Sequence, residues 1–240
     1  MPTPFIISNP PVKRTENDDV LFENMVDRYI GRLVYFSDGN FVKANFPYAR
    51  MILVKCQGAG GGGGGATTTS SGEVSVGSGG GAGGYSESFL ETTSLPASVS
   101  VTVPGGGAGG VAFTGTSGAP SSFGSLVIAP GGTGGFFRTA TAPPHLIVPP
   151  ANSAAGVGDI AVGGNTGTYG VGLNNTFVNG GIGGNSVFGG GGRGRTFAED
   201  GDPGVAFGAG GGGAANAQNQ ATGRTGGAGG PGVVIVELYA

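Results

Sequence analysis

The stretch MILVKCQGAGGGGGGA, residues 51–66, decides how the chain is read. Its first half has the character of a β-strand. Ile52, Val54 and Cys56 fall on one face of an extended backbone, and the unbroken apolar start from Met51 to Val54 predicts burial on both faces there. Its second half is glycine with two alanines, and composition shifts sharply at Gly58. Further runs follow at Gly79–Gly84, Gly105–Gly110, Gly131–Gly135, Gly180–Gly184, Gly189–Gly194, Gly208–Gly213 and Gly226–Gly232.

With 57 glycines and 15 prolines in 240 residues, the chain has the bias of a low-complexity segment. Its other numbers exclude disorder: 38% of residues are hydrophobic, only 10% are charged, and there are 14 Phe and 6 Tyr. Glycine at this density rules out helices beyond Gly58. The apolar pieces between the runs read instead as short strands: YSESFLET, SVSVTVP, SSFGSLVIA, HLIVPP and GVVIVELYA. In SVSVTVP, Val99, Val101 and Val103 alternate with Ser100 and Thr102, the pattern of a half-buried strand.

Flexible linkers are one reading of the runs, but the pieces between them are too short to be domains. The other reading makes the runs structural, as extended left-handed helices with three residues per turn that pair their backbone groups laterally. Glycine lets such helices approach closely, for the steric reason that places it on the collagen axis. Backbone pairing contributes only about 0.5–1.5 kcal/mol per hydrogen bond against an ordering cost of roughly 1–2 kcal/mol per residue, so the apolar strands have to supply the rest. The predicted fold class is therefore mainly β with polyglycine-II-type extended helices, a glycine-rich sandwich of short strands and packed glycine helices over residues 51–240, plus a small N-terminal attachment segment over 1–50.

That segment has ordinary composition. Pro2, Pro4, Pro10 and Pro11 predict an extended arm carrying Phe5, Ile6 and Ile7. Asn17, Asp18 and Asp19 are positioned to cap a helix through VLFENMVDRYIGRL, where Leu21, Met25, Val26, Ile30 and Leu33 recur at helical spacing. LVYFS, a turn at Asp38-Gly39 and NFVKANF then resemble a hairpin.

A net charge of -3 gives no basic field for nucleic acid, and no apolar run is long enough to cross a bilayer. The opening MPTPFIISNPPVKR has prolines where a secretory leader would be apolar. The single cysteine allows no internal disulfide, and Cys56 reads as a buried thiol. G-x-G-x-x-G matches arise by chance in such runs, and neither a phosphate-binding G-K pair nor a G-x-S-x-G elbow occurs. His145 follows Pro143-Pro144 with no acid nearby in sequence. The acidic cluster Glu199, Asp200 and Asp202 reads as a solvated turn or a calcium-binding loop, and Glu87 with Glu91 lacks the partner a glycosidase needs. The chain is expected to be no enzyme and to use no cofactor or metal.

Binding residues are expected in the insertions between runs, at Phe136–Pro150, Thr166–Asn179, Arg193–Phe207 and Ala214–Arg224. Aromatic anchors, adaptable amides and arginines make Phe136, Phe137, Arg138, His145, Tyr169, Asn174, Asn175, Phe177, Arg193 and Arg195 the candidates for receptor contact, against the plainer reading that the rings cap the core and the arginines are solvated.

FVKANFPYARMILVKCQGAGGGGGG, GGGAGGYSESFLETTSLPASVSVTVPGGGAGG, SSFGSLVIAPGGTGG and GGAGGPGVVIVELYA, in that order, resemble the glycine-rich domain of bacteriophage tail fibre and tail tip proteins, over about residues 41–240. The resemblance implies an adhesin with a packed polyglycine core and variable loops that touch the bacterial surface, located in the virion tail and assembled in the host cytoplasm. Its expected partners are a bacterial surface glycan or outer-membrane protein, and other tail proteins docked through Phe5, Ile6, Ile7, Leu21 and Met25. A homo-oligomer, with a trimer favoured, suits a fibre. A structural tail collar, an ice-binding polyglycine protein and a polysaccharide-degrading enzyme are the alternative readings.

Overall fold

The computed structural model describes residues 29–240 in full and the backbone of residues 5–8. Among the described residues the chain is mainly β, with four antiparallel sheets and two 3-10 turns. A six-stranded sheet takes the order β1 (Phe5–Ser8), β2 (Tyr29–Tyr35), β16 (Val233–Tyr239), β4 (Met51–Gln57), β6 (Tyr85–Glu91), β11 (Ile160–Val162). A four-stranded sheet of β3 (Gly39–Val42), β7 (Ser98–Thr102), β8 (Ser121–Phe123) and β9 (Val127–Ala129) packs against it. The core between them joins Leu33 and Tyr35, Ile52, Val54 and Cys56, and Val234, Val236 and Leu238 to Phe41, Val99, Val101, Phe123 and Val127. The expected alternation of β7 holds, with Val99 and Val101 buried and Ser98, Ser100 and Thr102 exposed.

Two smaller sheets form a second sandwich. One contains β10 (His145–Ile147), β12 (Gly170–Gly172) and β13 (Val178–Asn179); the other contains β14 (Ala198–Glu199), β15 (Ala215–Asn216) and β5 (Ser75–Val76). Val74, Val76, Val178, Ala215 and Ala217 make its core.

The glycine runs lie between the two sandwiches. Residues 58–66, continuing directly from β4, donate their amides to three different neighbours in strict rotation. Gly58, Gly61 and Gly64 donate to Gly84, Gly81 and Ser78; Ala59, Gly62 and Gly65 donate to Ala119, Thr116 and Phe113; Gly60, Gly63 and Ala66 donate to Gly230, Gly227 and Arg224, all at 2.8–3.2 Å. The carbonyls rotate likewise: Ala59 and Gly62 accept from Gly132 and Gly135, Gly60 and Gly63 from Gly107 and Gly110, Gly61 and Gly64 from Gly211 and Ala214. One buried run is thus bonded to six others with a period of three residues. Successive buried polar groups are satisfied by different chain segments, which an ordinary two-sided β-ladder does not achieve. The spacing leaves no room for side chains: a methyl on Gly63 would overlap the carbonyl oxygen of Gly212, and one on Gly64 that of Phe136.

Several sequence expectations are corrected. The helix through VLFENMVDRYIGRL fails from Tyr29 onward, because residues 29–35 form β2 between β1 and β16 and place Leu33 in the core, so tertiary pairing overrides the helical spacing; its earlier part, with Leu21 and Met25, lies outside the described residues. The hairpin around Asp38-Gly39 is absent. There the chain crosses from one sheet to the other, and Asp38 Oδ1 holds the corner by accepting from the Val103 amide at 2.7 Å. SSFGSLVIA is two strands, β8 and β9, reversed at Gly124 with a φ of +56°. The start of β4 is buried on one face only: Ile52 and Val54 are inaccessible while Met51 and Leu53 are part-exposed. Strands β2 and β3, from the segment assigned to attachment, are built into the two large sheets.

Gly63→Ala is expected to lower global stability by about 1–3 kcal/mol or more, since backbone must move to admit the methyl. Gly105→Ala, where nothing lies within 4 Å of the added methyl, is expected to be neutral or to stabilise by about 0.4–1 kcal/mol through the unfolded state. Denaturant unfolding of the two variants side by side checks both.

Candidate functional site: the loop cluster at the far pole

An extended run such as 58–66 carries the chain up to about 30 Å away from the large sandwich. At the far end, loops drawn from all four insertions converge, joined by the TTTSSGE loop at 67–73. Thr69 donates its hydroxyl to the Ala217 carbonyl at 2.5 Å and its amide to Gln220 O at 2.9 Å. Ser75 Oγ donates to Arg138 O at 3.0 Å, and Thr67 Oγ1 accepts from the Ala140 amide at 3.0 Å. Gln218 N donates to Asn175 O at 3.0 Å and Ala217 N to Phe197 O at 2.8 Å. Beneath them Asn216, fully buried, donates its side-chain amide to Thr67 O at 2.9 Å and Thr222 O at 2.8 Å.

Of the sequence candidates, the structure brings Asn174, Asn175 and Phe177 into this cluster, on the loop between β12 and β13, with Arg138 exposed at its margin. Asn174 shapes the loop, its Oδ1 accepting from the Thr176 and Phe177 amides at 2.9 and 2.7 Å. Phe177 is left exposed. Phe136, Phe137 and Tyr169 lie beside the glycine runs instead; Phe136 and Tyr169 are exposed, and Phe137 packs its ring 4.9 Å from that of Phe113. Phe5, Ile6 and Ile7 pair their backbone with Val34, Leu33 and Arg32 of β2.

One candidate is corrected, and two are found in ion pairs. His145 is 1% exposed, enclosed beneath the cluster, and is no surface contact. Arg193 and Arg195 are engaged within the chain: Arg193 Nε lies 3.1 Å from Asp202 Oδ2, and Arg195 Nη2 lies 2.6 Å from Asp202 Oδ1. The hydrogen bond from Arg195, then that from Arg193, holds the Asp202 carboxyl below the ordinary carboxylate range. The acidic cluster is accordingly divided, with Asp200 Oδ1 accepting from the Thr225 amide at 2.8 Å and Glu199 3.8 Å from Arg195. Among the described residues no group of three or more His, Cys, Asp or Glu is placed to hold a metal. Glu87 accepts the Tyr85 hydroxyl at 2.5 Å. Cys56 is buried in line with Ile52 and Val54, and burial pushes its thiol up to about 12.

Sequence reasoning missed the 67–73 loop and, within insertions it did locate, left Phe197 and Asn219 unnamed. Phe197 and Asn219 sit in left-handed backbone, with φ of +60° and +61°. A bulky residue there is uncommon, and Phe197 still presents an exposed ring. The hydroxyl-rich TTTSS was the available signal for the first; backbone conformation left none for the others.

His145 Nδ1 lies 3.0 Å from the Val74 carbonyl, which can only accept, so Nδ1 carries the proton and Nε2 is a buried acceptor without a partner. Burial lowers the imidazole's pKa; the Val74 bond opposes it in part, and the Arg138 charge adds a smaller push downward. A depressed folded value means that the unfolded chain binds the proton first. The stability contribution is complete above the unfolded value near ~6.5 and is lost as pH falls below it, at no more than about 1.4 kcal/mol per pH unit. Amide protection factors in β10 and β12, corrected for the intrinsic slowing of exchange, are expected to fall from pH 7 to 5, and His145→Gln, which keeps a donor for Val74, is expected to flatten that dependence.

No curated protein matches the chain. The family model described as a glycine-rich domain matches residues 37–239, from the corner after β2 to the end of β16, and the chain belongs to that family.

Proposed function

We propose that this protein is a non-enzymatic adhesin of a bacteriophage tail fibre or tail tip, whose far-pole loops touch the host surface. The observation that carries the reading is the convergence of five loops from distant parts of the sequence at one end of a hydrogen-bonded glycine bundle. Loops with exposed rings and amides on a rigid support suit recognition, since little flexibility is lost on binding. The left-handed Phe197 and Asn219 add support, because strained backbone concentrates at functional sites.

In this reading the glycine runs are polyglycine-II-type helices, for which the three-residue rotation of hydrogen-bond partners is the support. The N-terminal segment, residues 1–50, attaches to other tail proteins. Several copies per virion, most simply as a trimer, would add avidity to weak individual contacts.

Fluorescently labelled full-length protein is expected to bind some strains of a bacterial panel selectively, with unlabelled protein competing. Arg193→Ala is expected to leave binding within about twofold, since that side chain is occupied by Asp202 and its loss removes no pole contact. If a folded, correctly assembled sample binds none of the panel, the adhesin reading falls and a structural tail component takes its place.

A further inference from the structure

The five far-pole loops, 67–73, 138–144, 173–177, 196–197 and 217–223, contain only two formally charged residues, Glu73 and Arg138. Glu73 is part-exposed and tied to its own loop, its carboxylate accepting from the Ser70 amide at 3.0 Å. Apart from the exposed Arg138 at the margin, what faces outward is hydroxyl, amide and apolar: Thr68, Ser70, Asn174, Thr176 and Asn219, beside the exposed Leu173, Phe177 and Phe197. An amide or hydroxyl both donates and accepts, so it can meet another hydroxyl in either sense, whereas a guanidinium only donates and a carboxylate only accepts. Exposed rings add flat apolar faces against which the C–H faces of a pyranose can lie. An acidic or phosphorylated ligand would find Arg138 as its one cation in these loops.

From these observations, and resting on the adhesin reading, we infer that the far pole recognises an uncharged saccharide chain, with Phe177 as a stacking anchor, the Asn219 side chain as a two-way hydroxyl partner and Asn174 Nδ2 as a donor, its Oδ1 being taken by the Thr176 and Phe177 amides. The chemistry is the same whether the saccharide is lipid-linked or a free capsular chain.

The test uses labelled full-length protein on a strain that it binds, with cells treated beforehand with periodate or with protease. Periodate is expected to abolish binding and protease to spare it. Binding is expected to hold from about 0.05 to about 0.5 M salt, because no ion pair is screened. Phe177→Ala is expected to weaken binding tenfold or more while Phe89→Ala, an exposed ring on the six-stranded sheet, leaves it unchanged. Binding of the protein to lipopolysaccharide and to capsular polysaccharide, each purified from that strain, separates the two sources. Protease-sensitive, periodate-resistant binding, or binding that collapses with salt, overturns the saccharide inference and leaves the adhesin reading standing. Absence of binding to every strain overturns both.

Discussion

The constraint on which everything else depends is that a buried amide and carbonyl must find partners. In residues 58–66 those partners come from six separate runs in rotation. That arrangement exists only while no Cβ intervenes, because the neighbouring carbonyls already occupy the space a methyl would need. The alanines that do occur, such as Ala59 and Ala82, are fully buried, so the lattice admits a methyl at selected positions and excludes it elsewhere.

A backbone lattice alone is marginal, and the two sandwiches anchor it at either end. Strands run straight into it: β4 continues as residues 58–66, residues 78–84 lead into β6, and residues 208–214 lead into β15. Side-chain amides mark both junctions. Gln57, fully buried, donates to the Gly83 and Gly84 carbonyls at 2.8 and 3.0 Å, and Asn216 plays the matching part at the far end. Apolar burial in Phe41, Phe123 and the valines supplies stability that glycine cannot, at roughly 25 cal/mol per Å² of apolar surface removed from water.

This division of labour frees the far pole. Its small core of Val74, Val76 and Val178 is enough to close the second sandwich, and the loops above it carry rings and amides with little part in holding the molecule together. Buried polar atoms without partners occur there too, at His145 Nε2, Asn175 Oδ1 and Asn216 Oδ1. A pole assembled from five loops can change its outline through any one of them while the glycine lattice beneath keeps its shape.

The sequence by itself determined what depends on local pattern. Alternation marked β7, apolar runs marked β4, β6 and β16, and glycine density excluded helix beyond Gly58, because strand faces and glycine's missing side chain are properties of neighbouring residues. It also located the insertions in which Asn174, Asn175 and Phe177 lie. Only the tertiary structure decided which run pairs with which, since one glycine is chemically identical to the next and partners such as Gly63 and Gly227 are distant in sequence. For the same reason Ile30 and Leu33, spaced for a helix, became part of a strand once β16 offered its edge, His145 was enclosed, and Arg193 and Arg195 were paired with Asp202. Composition states which groups are available; the fold, by bringing distant segments within hydrogen-bond range, settles which of them are already taken.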